Sequence, residues 1–408
     1  MHNGSHIYVG GFVGINEHEI DGCDVNASVS AEQATCAGEN LSTPRIRIWA
    51  GGFAGKNTST IKNSDVSGSV YASPSTSGIL HNSGSEMHVG GFVSTNTYTA
   101  SIDNCHTSAS ATATSPSGYQ FLNYAGGFAS DNAGTINNCS ASGLAKAYRG
   151  CDTFAGGFIA YATNGSITNC SATGGAYALS STDSNNGYAG EAIAGGFIAL
   201  DDGTMLISNC YATGSVICSG YGASHGTGAG NSHFVGGFIG YKTSSSIDGD
   251  PVIENCYYSG AVSISGYYYA SVWAGGFAGF MQDVTVNNCY SSGTVTATNT
   301  SEYSSASTYI GGFMARSACT TNYCYSTSDC TADSVHYIYA GGFIGSSSSS
   351  YAHANYCFAT GDVYADSEDD TAYVGGFVGK GTFAESNENY RSSEQSIAGK
   401  SDSSYTYV

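Results

Sequence analysis

Apolar residues return along this chain in one repeating order, with a period of 30 to 41 residues. Each repeat holds a large residue, a small aliphatic residue and the tripeptide Gly-Gly-Phe. A second segment then reads Ile-x-Asn-Cys-x-Ala-x-Gly-x-Val, as in residues 207–216. After the Cys, apolar and polar residues alternate with period two, which is typical of a strand with one buried face. The pattern predicts two or three short strands per repeat, separated by Gly and Asn corners, and no helix.

Gly-Gly-Phe occurs eleven times, so the whole chain, residues 1–408, is predicted to be a single repeat array. A unit this short cannot bury its own apolar face, and neighbouring units must therefore stack. We expect an all-β fold, a parallel β-helix or β-solenoid of about eleven rungs, with adjacent rungs ~4.8 Å apart. The repeats start near residues 8, 49, 88, 124, 154, 193, 234, 273, 309, 339 and 373.

The invariant Phe of the tripeptide is expected to stack on itself from rung to rung as a structural ladder. Its members are Phe12, Phe53, Phe92, Phe128, Phe158, Phe197, Phe238, Phe277, Phe313, Phe343 and Phe377.

A second column lies two positions before the double Gly and is aromatic in nine of eleven repeats. If these side chains point outward, they form a stripe that binds a glycan or another rod. If they point inward, they belong to the core, and a bulge at Gly-Gly leaves both orientations open. The predicted binding residues are Tyr8, Trp49, Tyr124, Phe154, Phe234, Trp273, Tyr309, Tyr339 and Tyr373.

Nine of the fourteen cysteines share one repeat position, where Ser64 and Tyr390 stand in the other two copies. No Cys-x-x-Cys pair supports a metal site, so we interpret these cysteines as small buried residues. Disulfides between adjacent rungs stay open on distance alone, and so does the redox compartment. The nine are Cys23, Cys105, Cys139, Cys170, Cys210, Cys256, Cys289, Cys324 and Cys357.

An asparagine precedes this cysteine position in most repeats, and it is predicted to turn a corner and to hydrogen-bond to its neighbours in the stack. The column consists of Asn63, Asn104, Asn138, Asn169, Asn209, Asn255, Asn288 and Asn389.

The charge balance excludes several classes of partner. The net charge is −20, with only 11 Lys and Arg, which makes nucleic acid and anionic membranes poor partners. No apolar run is long enough to span a membrane, and the chain does not open with a signal peptide. Acidic pairs such as Asp201-Asp202 match no calcium loop. No set of acids, bases or nucleophiles recurs in register, so we predict no catalytic residues, no metal and no cofactor.

The motif Gly-Gly-Phe-Ile-Gly followed by Ile-x-Asn-Cys-Tyr-Ala-Thr-Gly-x-Val resembles the GLUG repeat of bacterial surface proteins. The best copies are residues 195–216 and 275–295, and Phe replaces the usual Leu throughout. The resemblance implies an extracellular β-solenoid stalk, often beside adhesive or peptidase modules, and brings no catalytic residues. The segment His18-Glu19-Ile20-Asp21-Gly22 lacks the second His of a zinc peptidase motif.

The leading expectation is therefore a non-catalytic stalk or adhesin segment, extracellular or on the cell surface, whose partner is itself or a surface glycan or protein. A self-assembling subunit of an extracellular filament is the alternative, and a polysaccharide-active β-helix enzyme is a minor one. Ice binding on Thr-x-Thr segments is weaker still, because most repeats lack them. Residues 405–408 read like a strand leading into another Gly-Gly-Phe, whose first Gly would follow Val408.

Overall fold

A computed structural model describes residues 5–33, 46–74, 85–116, 121–181, 190–203, 205–222, 232–243, 251–347, 351–381, 383–401 and 405–407. Within these ranges the chain forms strands and turns without a helix, and consecutive repeats pair in parallel, as between residues 5–10 and 46–51. The predicted all-β parallel solenoid is confirmed. Among the described residues, no helix is long and apolar enough to cross a membrane.

The strands fall into three sheets that run along the rod. We call one rung the part of the chain that begins with the strand leading into one Gly-Gly-Phe and ends before the next such strand, numbered from the first copy. Sheet A contains the strands that lead into Gly-Gly: Ser5–Gly10, Ile46–Gly51, Ser85–Gly90, Phe121–Gly126, Asp152–Gly156, Ala192–Gly195, Ser232–Gly236, Ser271–Gly275, Ser307–Gly311, Tyr337–Gly341, Ala372–Gly375 and Tyr405–Tyr407.

Sheet B follows Gly-Gly-Phe and usually has two strands per rung. They are Val13–Asn16, Ile20–Asp21, Ala54–Asn57, Thr60–Lys62, Val93–Asn96, Ser101–Asp103, Ala129–Asn132, Thr135–Asn137, Ile159–Ala162, Ser166–Thr168, Ile198–Asp201, Leu206–Ser208, Ile239–Lys242, Val252–Glu254, Ala278–Asn287, Met314–Asn322, Ile344–Ser347, His353–Asn355, Val378–Lys380 and Glu385–Asn387.

Sheet C follows the cysteine column. Its strands are Val25–Gln33, Asp65–Pro74, His106–Thr107, Ser110–Thr114, Ser140–Ala141, Ala145–Tyr148, Ser171–Ala172, Ala176–Leu179, Tyr211–Ala212, Val216–Tyr221, Tyr257–Tyr267, Tyr290–Asn299, Tyr325–Ser326, Asp329–Ser334, Phe358–Ala359, Val363–Ser367, Tyr390–Arg391 and Ile397–Ser401.

The Phe ladder lies in the core between the sheets, as predicted. From Phe53 to Phe343 the rings are fully buried, and neighbouring ring centroids are 4.7–5.1 Å apart. Phe12, in the first rung, is 53% exposed but still stacks on Phe53. Columns of Ile, Val and Ala from the three sheets complete this core. Stacking therefore buries apolar faces that no single repeat could bury.

The double Gly forms the corner between sheets A and B. A Cβ atom on Gly51 would lie 1.9 Å from the Ala54 carbonyl oxygen, and one on Gly52 would lie 2.2 Å from the Gly91 oxygen of the next rung. Because side chains cannot fit in this close approach, Gly recurs here. The corner changes side-chain parity: Ala50 and Phe53 both enter the core, although they are three positions apart.

The Asn column turns the corner between sheets B and C. Seven of its members, from Asn63 to Asn288, have positive φ values of 50–56°. Asn tolerates this left-handed conformation better than most residues. In rungs 9 and 10, Tyr323 and Tyr356 take the same conformation, with φ values of 55° and 56°. The predicted amide contacts occur in part, as where Asn138 Nδ2 donates to Asn104 Oδ1 at 2.9 Å.

The cysteine column lies just inside this corner. Each thiol donates to the carbonyl two residues earlier, as from Cys139 to Asn137 at 3.0 Å. Four of the thiols, those of Cys139, Cys170, Cys210 and Cys289, also accept the amide N–H of the preceding cysteine in the stack, as from Cys105 to Cys139 at 3.4 Å. None of the nine column cysteines forms a disulfide, so the bridges between adjacent rungs that the sequence left open are not made. Cys218 and Cys330, off this column, are core residues as expected.

Two predicted alignments near the end of the chain are wrong by one residue. In rung 11 the left-handed residue is Glu388, and Asn389, not Tyr390, lies beside Cys357, because Tyr390 pairs with Phe358. In the last strand of sheet A, Thr406 pairs with Tyr373. The position of the next Gly therefore falls on residue 408 rather than after it. Spacing alone cannot detect a one-residue slip where the motif residues are absent.

Candidate functional site: an aromatic groove

The predicted aromatic column lies on the outer face of sheet A. Trp49 stands between Ile48 and Ala50, whose side chains enter the core, and it therefore points outward. Neighbouring rings stack along the rod, from Tyr8 on Trp49 at 4.9 Å to Tyr339 on Tyr373 at 5.2 Å between centroids. His88 continues the stack in rung 3, with its ring 4.6 Å from that of Tyr124. Ile193 occupies the column in rung 6.

A column of sheet B faces the aromatic one across the Gly-Gly corner, so that the two outer faces form a groove. Its members come three positions after each Phe of the ladder, and the strand pairings place them above one another. They are Ile15, Lys56, Thr95, Asp131, Tyr161, Leu200, Tyr241, Phe280, Arg316, Ser346 and Lys380.

The middle of the groove is filled by its own side chains. Phe154, Phe234 and Trp273 are 6–9% exposed and form, with Ile193 and Phe280, a second apolar cluster separate from the main core. Both orientations considered for the aromatic column therefore hold in part: every member points outward, but the central ones are covered. The partly exposed members lie towards the two ends: Tyr8, Trp49, Tyr124, Tyr309, Tyr339 and Tyr373.

Three basic side chains of the sheet B column lie over the aromatic rings. Lys56 Nζ is 5.8 Å from the Tyr8 centroid, and Arg316 Cζ is 5.3 Å from that of Trp273. Lys380 Nζ is 4.1 Å from the centroid of Tyr373. Cation–π contacts hold such side chains along an aromatic surface. The groove thus contains three of the 11 basic residues of a strongly acidic chain.

A cavity of about 570 Å³ opens in the groove at rungs 1 to 5. Its size is in the range of small-molecule sites. The lining combines aromatic rings with charged and amide groups: Tyr8, Trp49, Lys56, Glu86, His88, Thr95, Asn96, Thr97, Tyr98, Tyr124, Asp131, Asn132, Ala133, Tyr161 and Thr163. Carboxylates, amides and phenols together can accept and donate hydrogen bonds to a polyhydroxylated ligand.

His88 is the electrostatic centre of this cavity. Its Nδ1 lies 2.8 Å from an Asp131 oxygen, and its Nε2 lies 3.4 Å from a Glu86 oxygen. Burial alone would lower the pKa of His88, but the two carboxylates favour the charged form and raise the pKa to about 9. At neutral pH the imidazolium therefore bridges two acidic side chains from rungs 3 and 4.

The stacking geometry decides what a ligand would contact. Neighbouring rings such as His88 and Tyr124 are inclined by only 8°, so their faces are covered by the rungs above and below. A sugar ring cannot stack on these faces, contrary to one role considered for the column. The groove instead presents ring edges, the Tyr hydroxyls and the basic side chains.

The acidic residue Asp201 is not part of a calcium site. It is fully buried, and its Oδ2 accepts a hydrogen bond of 2.7 Å from the equally buried Lys242 Nζ. Lys242 also donates to the Gly203 carbonyl at 2.8 Å. Within the ranges that the structure describes, no group of three or more His, Cys, Asp and Glu side chains is arranged to hold a metal ion. Residues 244–250, with another acidic pair, lie outside those ranges.

Sequence reasoning placed the aromatic column but missed the wall that faces it. Asp131 and Lys56 were not singled out, because their column varies in residue type from rung to rung. This column could have been found from its position alone. The residue three places after the invariant Phe lies just past the corner, and its side chain points towards the outer face of sheet A. A second missed column, directly after each cysteine, is aromatic from Tyr211 to Tyr390.

Comparison with known proteins agrees with the repeat pattern. The family model of the GLUG motif matches residues 85–113 and 155–176. A comparison with curated protein sequences finds no match. Among solved structures, one from Bacteroides ovatus, named a "putative immunoglobulin A1 protease", is 20% identical over 73% of this chain and 70% of that chain, with a TM-score of 0.30. That similarity is too low to carry an argument. The chain is thus a β-solenoid of stacked parallel strands, and two segments of it match the GLUG motif.

Proposed function

We propose that this solenoid is a non-catalytic structural and adhesive element, extracellular or on the cell surface, that binds a glycan or protein through the aromatic groove. The observation that carries the proposal is the groove itself. An outward, mostly aromatic column and a facing column of mixed polar and apolar residues keep their register through all eleven rungs. A site of this shape suits a long ligand lying along the rod.

The chemistry of the groove favours a ligand with hydroxyl and anionic groups. Lys56 and Lys380 lie near its two ends, over the rings of Tyr8 and Tyr373. At the Lys380 end, the consecutive phenols of Tyr309, Tyr339 and Tyr373 provide donors and acceptors at intervals of about 5 Å. Acidic glycans combine these features. An extracellular location is supported by the resemblance of the repeats to those of surface stalks and by the low content of charged residues, 10%.

The proposal is tested by incubating the full chain on a printed array of neutral, amino and acidic oligosaccharides. We expect binding that is lost when Tyr309, Tyr339 and Tyr373 are all replaced by Ser, and weakened by Trp49→Ser together with Tyr124→Ser. Tyr71→Ser with Tyr177→Ser is the matched control, because these partly exposed tyrosines lie on the outer face of sheet C. Circular dichroism checks that each variant keeps its strands. Equal loss in the control, or retention in both groove variants, would contradict the groove as the binding surface.

A further inference from the structure

A second aromatic ladder lies on the outer face of sheet C, directly after the cysteine column. Tyr211, Tyr257, Tyr290, Tyr325 and Phe358 stack with centroid distances of 4.8–5.0 Å and interplanar angles of 3–4°. Tyr390 follows in register in rung 11. Phe358 is 40% and Tyr390 62% exposed, and the others are partly exposed. An aromatic stripe across six consecutive rungs is unusual on the surface of an isolated chain.

The surroundings of this ladder carry no charge over three rungs. In rungs 6 to 8 the sheet C strands lie within residues 211–221, 257–267 and 290–299, and these segments contain no Asp, Glu, Lys or Arg. Their outward positions are mostly Ser and Thr, as at Thr294, Thr296 and Thr298. A second stack, Tyr221 on Tyr267 at 5.1 Å, closes the far side of the face. Rungs 1 and 2, by contrast, place Asp24 and Asp65 in the ladder's column.

We propose that this tyrosine face of sheet C, which runs from rung 6 to rung 11 and carries no charge in rungs 6 to 8, is a lateral interface between two copies of the chain. The spacing of the rungs indicates which partner would bind this face. Only a partner with the same rung spacing can stay in register with six successive rings, and a second copy has that spacing by construction. Two such ladders can interdigitate face to face, as identical side chains do between packed β-sheets.

The charge of the chain also favours this face as the place where two copies meet. Two chains of net charge −20 repel each other over most of their surface. In an antiparallel pair, rungs 9 to 11 of one copy face the uncharged rungs 6 to 8 of the other, so the two chains can approach without pairing like charges. Asp329 and Asp333 in rung 9 and Asp362 and Asp366 in rung 10 are acidic residues at this face, and they oppose a parallel pair. Six rungs at ~4.8 Å by about 20 Å of strand give a face of roughly 600 Å² per copy, the size of a weak, reversible interface.

Sedimentation velocity of the full chain, from about 10 to 300 µM, is the first test, because an interface of this size dissociates at low concentration. We expect the weight-average mass to rise from that of one chain towards that of two. Added NaCl should strengthen the association, since salt screens the general repulsion and the ion pair on sheet C, Lys400 with Asp366, lies within a single copy. A single monomeric species throughout the range, in low and high salt, would overturn the proposal.

Charge substitution on the face is the second test. In an antiparallel pair Tyr290 of one copy faces Tyr325 of the other, and in a parallel pair each faces itself. Tyr290→Glu with Tyr325→Glu should therefore abolish association, and so should Tyr290→Lys with Tyr325→Lys. An equimolar mixture of the two variants should associate again, more tightly than the parent chain and now in a salt-sensitive way. Failure of the mixture to associate would overturn the proposal even if each variant alone is monomeric.

Matched controls separate this face from the rest of the rod. Ser140→Glu with Ser171→Glu places the same charges in the same column at rungs 4 and 5, outside the tyrosine run. This variant and the groove variant Tyr309→Ser with Tyr339→Ser should associate like the parent chain. If the Ser140 and Ser171 substitutions also abolish association, net charge and not the tyrosine face controls it, and the proposal fails. Because the groove lies on another face, its binding and this association can fail independently.

Discussion

His88 Nδ1 and Asp131 Oδ2 lie 2.8 Å apart and join two adjacent rungs through an ion pair that faces the groove. His88 occupies a position where nine other rungs have an aromatic ring, and it stacks between Trp49 and Tyr124 as those rings do. Asp131 belongs to the facing column of sheet B, where its carboxylate would otherwise be an unpaired charge beside apolar rings. The ion pair therefore holds the two walls of the groove together where the cavity opens.

We predict that this ion pair makes stability depend on pH between about 6.5 and 9. The pKa of His88 rises from 6.5 in the unfolded chain to about 9 in the fold. The stabilisation is complete below pH 6.5 and is lost as the pH rises through 9, because the neutral ring no longer attracts the carboxylates. Its full size is on the order of 3 kcal/mol.

Urea unfolding of the parent chain and of His88→Tyr at pH 6 and pH 9.5 measures this effect. The Tyr variant keeps an aromatic ring in the stack, and other titrating groups are common to both chains. The difference in unfolding free energy between them should move by about 3 kcal/mol in favour of the variant at the higher pH. A difference that is equal at the two pH values would show that folding does not raise the pKa of His88.

The buried pair of Asp201 and Lys242 yields a second prediction. In rungs 1 to 4 the same column of sheet B is a ladder of asparagines, in which Asn57 Nδ2 donates to Asn96 Oδ1 at 3.0 Å. Asp201→Asn or Lys242→Met alone should cost about 3–5 kcal/mol, because each leaves a buried charge without its partner. Asp201→Asn combined with Lys242→Asn should recover much of that loss, because two stacked amides can hydrogen-bond to each other as Asn57 and Asn96 do, separated from the natural ladder by Ala162. Thermal unfolding measures the loss of stability in each variant. A double variant whose loss equals the sum of the two single losses would contradict this prediction.

The invariant residues of the repeat determined how much of this structure was predictable. Phe, Gly-Gly and Cys recur in every or nearly every copy, so the core ladders, the corners and the number of rungs followed from counting. Where a copy lacks them, as around Asn389 and Thr406, the alignment slipped by one residue. In those copies the register of the strands is determined by backbone hydrogen bonds, which do not require particular residue types.

The candidate site was predictable only on one wall. The aromatic column keeps its chemistry, whereas the facing column changes from Lys56 through Asp131 to Phe280. The direction of the aromatic side chains depended on the backbone at Gly-Gly, and spacing does not reveal a change of parity. The pairing of Asp201 with Lys242 was equally hidden, because the two residues are 41 positions apart and neither belongs to a repeated motif.

The corner glycines should not tolerate even a methyl group. A Cβ on Gly276 would lie 2.0 Å from the Gly312 carbonyl oxygen of the next rung, and that oxygen belongs to backbone that cannot move away cheaply. We expect Gly276→Ala to destabilise the chain by about 3 kcal/mol or more and Gly276→Val to do so more strongly. Ser292→Ala, on the outer face of sheet C, is the control and should have little effect. The melting temperatures of the three variants measure this effect. A Gly276→Ala variant with the melting temperature of the parent chain would show that the backbone at the corner can move to accommodate a methyl group.

The buried thiol ladder should be chemically silent in the folded chain, although it contains eight cysteines in consecutive rungs. Burial raises the pKa of Cys139, Cys210 and Cys289 well above the usual thiol range, whereas burial is outweighed by hydrogen bonds from neighbouring cysteines that lower the pKa of Cys170, Cys256 and Cys324. Alkylation requires a thiolate that the reagent can reach, and all eight thiols are buried. Cys23 and Cys151 are only partly buried. Treatment with iodoacetamide at pH 8, followed by peptide mass spectrometry, should therefore modify these two and spare Cys105 to Cys357 in the column. All of them should react in 6 M guanidinium chloride. Rapid labelling of Cys210 or Cys289 under native conditions would mean that the central rungs open, and the stacked core would then be less cooperative than its continuous ladders indicate.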